Sequence, residues 1–267
     1  MTGFLSRIAV VVVAVPLVLL AVWGGGWWLF GLAAVAAIVA LHEYGRLVRP
    51  LRPIVLAAYL GAVAMLSGAT QGGTTWALGG LVLAIGVTFV LHLLAETRPP
   101  ATVAIGSTVL GTAWVGLGLA HVILLRELPH DGFLAVLTVL LAVWASETLA
   151  YFAGKLVGRH KLAPVTSPGK TWEGLVAGSV AAVAVAFFAL YEDRDTFLSV
   201  WQALVLGGVI AVSSVLGDLF ESALKRDMGV KDTGRLLAGH GGMLDRIDAL
   251  LFAAPASFYL ILAFGYG

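Results

Sequence analysis

Apolar stretches of membrane-spanning length recur along the chain, separated by short breaks rich in glycine, proline or charge. Nine segments qualify: 5–22, 26–41, 54–69, 75–95, 103–125, 132–153, 172–191, 198–217 and 248–266. A helix crossing a bilayer needs about 20 mostly apolar residues, so the second and third are short and one hairpin can be re-entrant. No stretch alternates apolar and polar positions with the period of two that a strand requires, and lipid admits only helices or closed barrels. The predicted fold class is all-α, a polytopic integral membrane protein of about nine transmembrane helices. Arg7 before an apolar run mimics a secretory signal. The run passes through Gly24-Gly25-Gly26 into a second apolar segment without a small-residue cleavage pattern, which favours a retained first hairpin.

Composition agrees with the pattern. The chain is 60% hydrophobic and 12% charged, with a mean hydropathy of +0.99, which puts it in the membrane class. The absence of cysteine excludes disulfides, thiolate-bound zinc and thiol nucleophiles.

Charge adds orientation. If the N-terminus and every second loop share one side, that side holds Arg7, Arg46, Arg49, Arg52, Arg98, Lys155, Arg159, Lys161, Lys170, Lys225, Arg226, Lys231, Arg235 and Arg246, fourteen of the sixteen Lys and Arg. The other side holds Arg126 and Arg194 among five acidic residues. The positive-inside rule then places the N-terminus in the cytoplasm and the C-terminus outside, in the cytoplasmic membrane of a cell. Loops 154–171 and 225–247 fall on the cytoplasmic side, where nucleotides are found. The expected organisation is an N-terminal set of helices over 1–140 and a catalytic region over 141–267 that carries both loops.

The densest charge lies in Ser222–Asp248, beside membrane-length apolar runs, where each charge near hydrocarbon is costly. On a helix through Ser213–Arg226, residues Ser214, Asp218, Glu221, Ser222 and Lys225 share one stripe. Such a stripe faces protein or a wet cavity, not lipid. Asp245 and Asp248, three apart at the start of the ninth helix, form a second acidic pair. Hard carboxylate oxygens of Asp218, Asp245 and Asp248 suit Mg²⁺, which keeps waters and takes further ligands from phosphates. Lys225, Arg226, Lys231, Arg235 and Arg246 form a cationic clamp for the charge of phosphoryl or nucleotidyl transfer. For any single Lys or Arg the competing explanation is an ordinary interface anchor, a role carboxylates fill badly. Gly239, Gly241 and Gly242 around His240 let backbone approach phosphate closely.

A second cluster spans Glu147–Gly174. Gly169-Lys170-Thr171 imitates the end of a P-loop, but Pro164 replaces the first glycine and no buried strand precedes it, so that motif is rejected. There remains a loop, Ser167-Pro168-Gly169-Lys170, entering a helix near Thr171 with Glu173 in its first turn. Ser167, Lys170 and the helix N-terminus can hold a phosphate. The pairs Gly154/Gly158 and Gly174/Gly178 read as close helix packing. Glu147, inside an apolar helix one turn before Tyr151, reads as functional or paired with a buried base.

Ser222, Lys225-Arg226, Lys231-Asp232, Gly234, Leu237, His240-Gly241-Gly242, Asp245-Arg246 and Asp248, at these spacings, resemble the signature of the phosphatidate cytidylyltransferase (CDP-diglyceride synthase) family. The run Ser167–Gly174 is similar to that family's S-P-x-K-T-W-E-G segment. Ala238 stands where the signature has Pro or Gly, which changes loop stiffness more than chemistry, and Glu147 stands where relatives carry Asp, so its carboxylate reaches one methylene further. The resemblance implies that CTP and phosphatidic acid react to give CDP-diacylglycerol and pyrophosphate with Mg²⁺, at a membrane site facing the cytoplasm. It implies metal binding by Asp218, Asp245 and Asp248, and catalytic roles for these with Lys225 and Arg226. Substrate contacts fall to Ser167, Lys170, Ser214, Ser222, Lys231, His240, Gly241, Gly242 and Arg246. The expected partners are CTP, phosphatidic acid and membrane lipids, with no nucleic acid, and small-residue helix faces permit a homodimer. The alternatives are a related polyprenol kinase, an ether-lipid cytidylyltransferase, or a cation-coupled transporter using Glu147, Asp218 and Asp245. No internal repeat supports the transporter.

Overall fold

The structure, a computed structural model, describes residues 2–95, 99–129, 131–231, 233–234 and 241–266, without the side chains of 2–11. His240, Asp232 and Arg235 lie outside the described residues. Helices account for almost all of it: α1 (Thr2–Gly24), α2 (Gly26–Leu47), α3 (Val55–Leu94), α4 (Ala101–Thr112), α5 (Gly118–Arg126), α6 (Gly132–Leu156), α7 (Trp172–Leu190), α8 (Val200–Asp227) and α9 (Leu244–Ala263). Among the described residues seven helical stretches are long and apolar enough to cross a membrane, Ala101–Arg126 counting as one. The protein is thus a polytopic, all-α integral membrane protein, whose described residues add one short β-hairpin to the helices.

The breaks sit where the apolar pattern places them. Gly25 and Gly26 adopt positive φ between α1 and α2. The stretch Val55–Leu94 is interrupted at Gly72 and Gly73, the latter at φ 68° and ψ −156°, a conformation open to glycine alone at little cost. Its two arms fold back on each other closely enough that a Cβ on Gly80 would meet the backbone of Met65 at 2.6 Å. This helical stretch therefore comprises both expected segments, 54–69 and 75–95.

The chain forms two compact units, Met1–Glu127 with Met228–Ile247, and Leu128–Asp227 with Asp248–Gly267. In the first, the Tyr44 hydroxyl donates to the Ser107 carbonyl at 2.7 Å, and the Ile54 N–H donates to Thr108 Oγ1 at 2.8 Å. These bonds tie α2 and the start of α3 to α4. Arg126 Nε donates to the Val22 carbonyl at 2.7 Å, satisfying a C-terminal carbonyl of α1.

In the second unit, α6, α7 and α8 pack through small residues. A Cβ on Gly174 would lie 2.7 Å from the Ala150 carbonyl, one on Gly178 2.8 Å from that of Ser146, and one on Gly207 2.5 Å from Val183 Cα. The expected 154–171 loop contains an antiparallel pair, β1 (Lys161–Ala163) and β2 (Ser167–Thr171), with Lys161 opposite Thr171 and Ala163 opposite Ser167. Backbone groups that leave the helices pair with one another here. Strands of three and five residues, joined by the turn Pro164-Val165-Thr166, are too short to declare a strand period in the sequence.

Candidate active site

Helix α7 begins on a built N-terminus. Thr171 caps it, its hydroxyl oxygen accepting the Gly174 N–H at 3.1 Å. Glu173 in the first turn accepts from His160 Nδ1 at 2.7 Å and from the His160 N–H at 3.2 Å. Strand β2 is thereby held against α7, with Lys170 directed to α8.

Between these elements lies a cavity of about 460 Å³. Glu147, Tyr151 and Lys155 of α6, Ser167 and Lys170 of β2, and Ser214 and Asp218 of α8 line it, while Leu162, Leu175 and Val215 supply apolar wall. Lys170 Nζ stands 2.6 Å from Asp218 Oδ2, both side chains partly buried. The Ser222 hydroxyl reaches Asp218 Oδ1 at 3.4 Å, and the Ser214 hydroxyl donates to the Ile210 carbonyl at 2.7 Å. Four residues expected at the site, Ser167, Lys170, Ser214 and Asp218, therefore meet around one cavity. Glu147 joins them, although the sequence alone left its role open.

Gly217 sets the crossing of α8 with α9. A Cβ there would run into the Asp248 carbonyl and come within 3.0 Å of Ala249 Cα. Asp248 is buried at 4% exposure, its Oδ1 accepts the Ala249 N–H at 2.8 Å, and Asp218 and Glu147 lie within electrostatic reach of it. Asp218 and Asp248 offer hard oxygens from two helices. That donor set fits a Mg²⁺ ion completed by water and phosphate oxygens, not a cage of protein ligands. Among the described residues no three His, Asp or Glu cluster closely enough to hold an ion by themselves.

Two of the expected cations face elsewhere. Lys225 Nζ pairs with buried Glu221 Oε2 at 2.7 Å, and Arg226 Nε donates to the Thr166 carbonyl at 3.1 Å. Arg226 thus braces the β1–β2 turn from the end of α8, and neither residue lines the cavity.

The rest of the signature belongs to the first unit. Asp245 Oδ2 accepts from the Thr233 hydroxyl and from the Gly242 N–H, both at 2.9 Å. Gly241 has φ +81°, a left-handed conformation shortly before α9 that favours glycine. Lys231 and Arg246 are exposed. Glu43 of α2, absent from the expected site, reaches this segment: its Oε2 accepts the Leu244 N–H at 2.9 Å. The expected second span stopped at residue 41, whereas α2 runs to Leu47 and carries the carboxylate inward. A lone acid in an apolar helix is the signal that could have found it.

A sequence model of the Cytidylyltransferase family matches residues 5–264, nearly the whole chain. The chain belongs to the cytidylyltransferase family. It is 43% identical over 130 residues to the phosphatidate cytidylyltransferase of Haemophilus influenzae, covering 48% of this chain and 45% of that protein. Over 146 residues it is 41% identical to the phosphatidate cytidylyltransferase of Staphylococcus haemolyticus, covering 55% of each. The chain spans about half the length of the curated relatives it matches.

Proposed function

We propose that this cytidylyltransferase joins CTP to phosphatidic acid, releasing pyrophosphate and forming CDP-diacylglycerol. One observation carries the reading: the cavity combines an ion-paired Lys170 and Asp218 with an apolar wall of Leu162, Leu175 and Val215. A lipid phosphate presents that same combination of charge and hydrocarbon. A lipid phosphate oxygen attacks the α-phosphorus of CTP, the new P–O bond forms, and the bond from that phosphorus to the bridging oxygen breaks. No protein nucleophile is needed, because the attacking phosphate is already an anion. Ser167 and Lys170 bind phosphate oxygens and orient the attack. The signature assigns Lys225 and Arg226 to phosphate charge, with Lys225 paired to Glu221 and Arg226 to the Thr166 carbonyl in this structure, while Ser214 and Ser222 flank Asp218 on α8. Mg²⁺, when bound, screens phosphate charge and aligns the in-line displacement. Asp218 and Asp248 are its assigned ligands, and Asp245 takes the same role on the signature alone. Lys231, His240, Gly241, Gly242 and Arg246 are assigned to substrate on the same ground.

The same reading gives nine spans, counting α1 and both arms of α3, with the start of α1, the β1–β2 hairpin and residues 228–247 cytoplasmic. The asymmetry of Lys and Arg supports it. The chemistry then belongs to 141–267. The test is purified protein in mixed micelles with phosphatidic acid and CTP labelled in the cytidine, with and without chelator. Mg²⁺-dependent movement of label into the organic phase supports the proposal. Transfer of the γ-phosphate to an alcohol lipid, with cytidine left in water, would replace it with a kinase.

A further inference from the structure

We propose that Glu43 is the positioning residue of the signature segment. Its carboxylate is 1% exposed inside α2, a placement that costs several kcal/mol unless the charge is compensated. The compensation comes from Leu244, the first residue of α9, 201 positions away in sequence, whose N–H donates to Oε2 at 2.9 Å. The opening N–H groups of a helix lack partners within it, and their dipoles favour a negative charge. Glu43 therefore caps α9 from a distant helix.

Two glycines of the signature exist in the space this carboxylate fills. A Cβ on Gly234 would collide with Glu43 Oε1, and its next nearest atoms, Cδ at 2.8 Å and Cγ at 3.0 Å, are also Glu43's. A Cβ on Gly242 would stand 2.5 Å from Glu43 Oε2 and equally close to Thr233 Oγ1, the hydroxyl that donates to Asp245. The N–H of that same Gly242 donates to Asp245. The backbone that orients Asp245 is thus packed against Glu43 at both glycines and against Thr233 at Gly242, and Glu43 Oε1 has no hydrogen-bond partner among the described residues. Glu43 fixes where the glycine turn runs and so where Asp245 points. Its bearing on catalysis rests on the function proposed above; its bearing on the segment does not.

The test uses the full chain in detergent, as wild type, Glu43→Ala, Glu43→Gln and Gly234→Ala, with the double variant Glu43→Ala/Gly234→Ala. Hydrogen exchange of peptides covering 241–247 reads the positioning, and kcat against KM for CTP reads the consequence. Glu43→Ala should accelerate exchange in 241–247 at least tenfold while peptides of α6 and α7 keep their rates, and should lower kcat more than tenfold with KM changed less. Glu43→Gln keeps an oxygen for Leu244 and should retain most of the protection, so it decides the matter if the alanine variant fails to fold. Gly234→Ala alone should be impaired, but adding it to Glu43→Ala should cost nothing further, because its collision partner is gone. Unchanged exchange in 241–247, or strictly additive effects of the two substitutions, would overturn the proposal. Wild-type protein that moves no label would sink the proposed function, yet the exchange and coupling results would still decide the role of Glu43.

Discussion

Lys170 on strand β2 and Asp218 on helix α8 form a 2.6 Å ion pair at the wall of the cavity. A partly exposed pair of this kind contributes roughly 0–1 kcal/mol to stability. In the proposed reaction its value is chemical, a cation and a carboxylate held at one point for phosphate and metal. Lys170→Ala should leave the melting temperature nearly unchanged and lower kcat/KM by about 10²–10³, the usual cost of removing one preorganised electrostatic donor. Steady-state kinetics beside a thermal melt would check both parts.

Chelation should stop label transfer, and added Mg²⁺ should restore it. Asp218→Asn keeps the shape of the side chain but removes a charge that a hard cation needs. That variant should fold and show almost no turnover at any Mg²⁺ concentration. Near-normal rates would remove Asp218 from the metal site.

Gly217→Ala should be destabilising, because its Cβ has no room beside the Asp248 carbonyl. Overpacking of this kind typically costs about 1–3 kcal/mol. The melting temperature should fall, and activity should fall further than stability, since Asp248 moves with the helix it sits on.

Thr171→Val preserves side-chain shape but deletes the oxygen that accepts the Gly174 N–H. Loss of an N-cap costs about 0.5–2 kcal/mol. The expected result is a lower melting temperature with a raised KM for CTP, since β2 and Lys170 depend on the same junction.

Orientation can be read by labelling, because the chain has no cysteine of its own. Val165→Cys stands on the hairpin turn at 88% exposure, and Asp195→Cys lies in the exposed connection between α7 and α8. A membrane-impermeant maleimide added to intact cells should label position 195 and spare 165, with the pattern inverted in inside-out vesicles. The reverse result would invert the proposed topology.

Part of the candidate site is legible in order along the chain. Asp218, Ser214 and Lys170 were expected from a polar stripe on an apolar helix and from a proline-shaped segment before one, and all three line one cavity. Lys225 and Arg226 were expected to face phosphate, but each is drawn to a nearer partner, Glu221 and the Thr166 carbonyl. Which acceptor a long flexible cation meets depends on side-chain reach across elements, and spacing carries no record of that. The β1–β2 pair went unseen for a related reason: three- and five-residue strands are too short for a period to emerge.

By itself the sequence determined the helices and their interruptions, because a bilayer demands that every backbone N–H and C=O be satisfied locally. Apolar length and glycine breaks such as Gly72-Gly73 then suffice to locate the elements. It also determined the candidate chemistry, since a signature of acids, cations and glycines is unusual in so apolar a chain. Only the tertiary structure decided which of those groups meet. Glu43 and Leu244 are joined by one hydrogen bond across 201 residues, and Glu147 shares a cavity with Lys170 because small residues let α6 and α7 approach. Such pairings follow from packing of distant helices, in which each contact depends on all the others, and no local pattern encodes them.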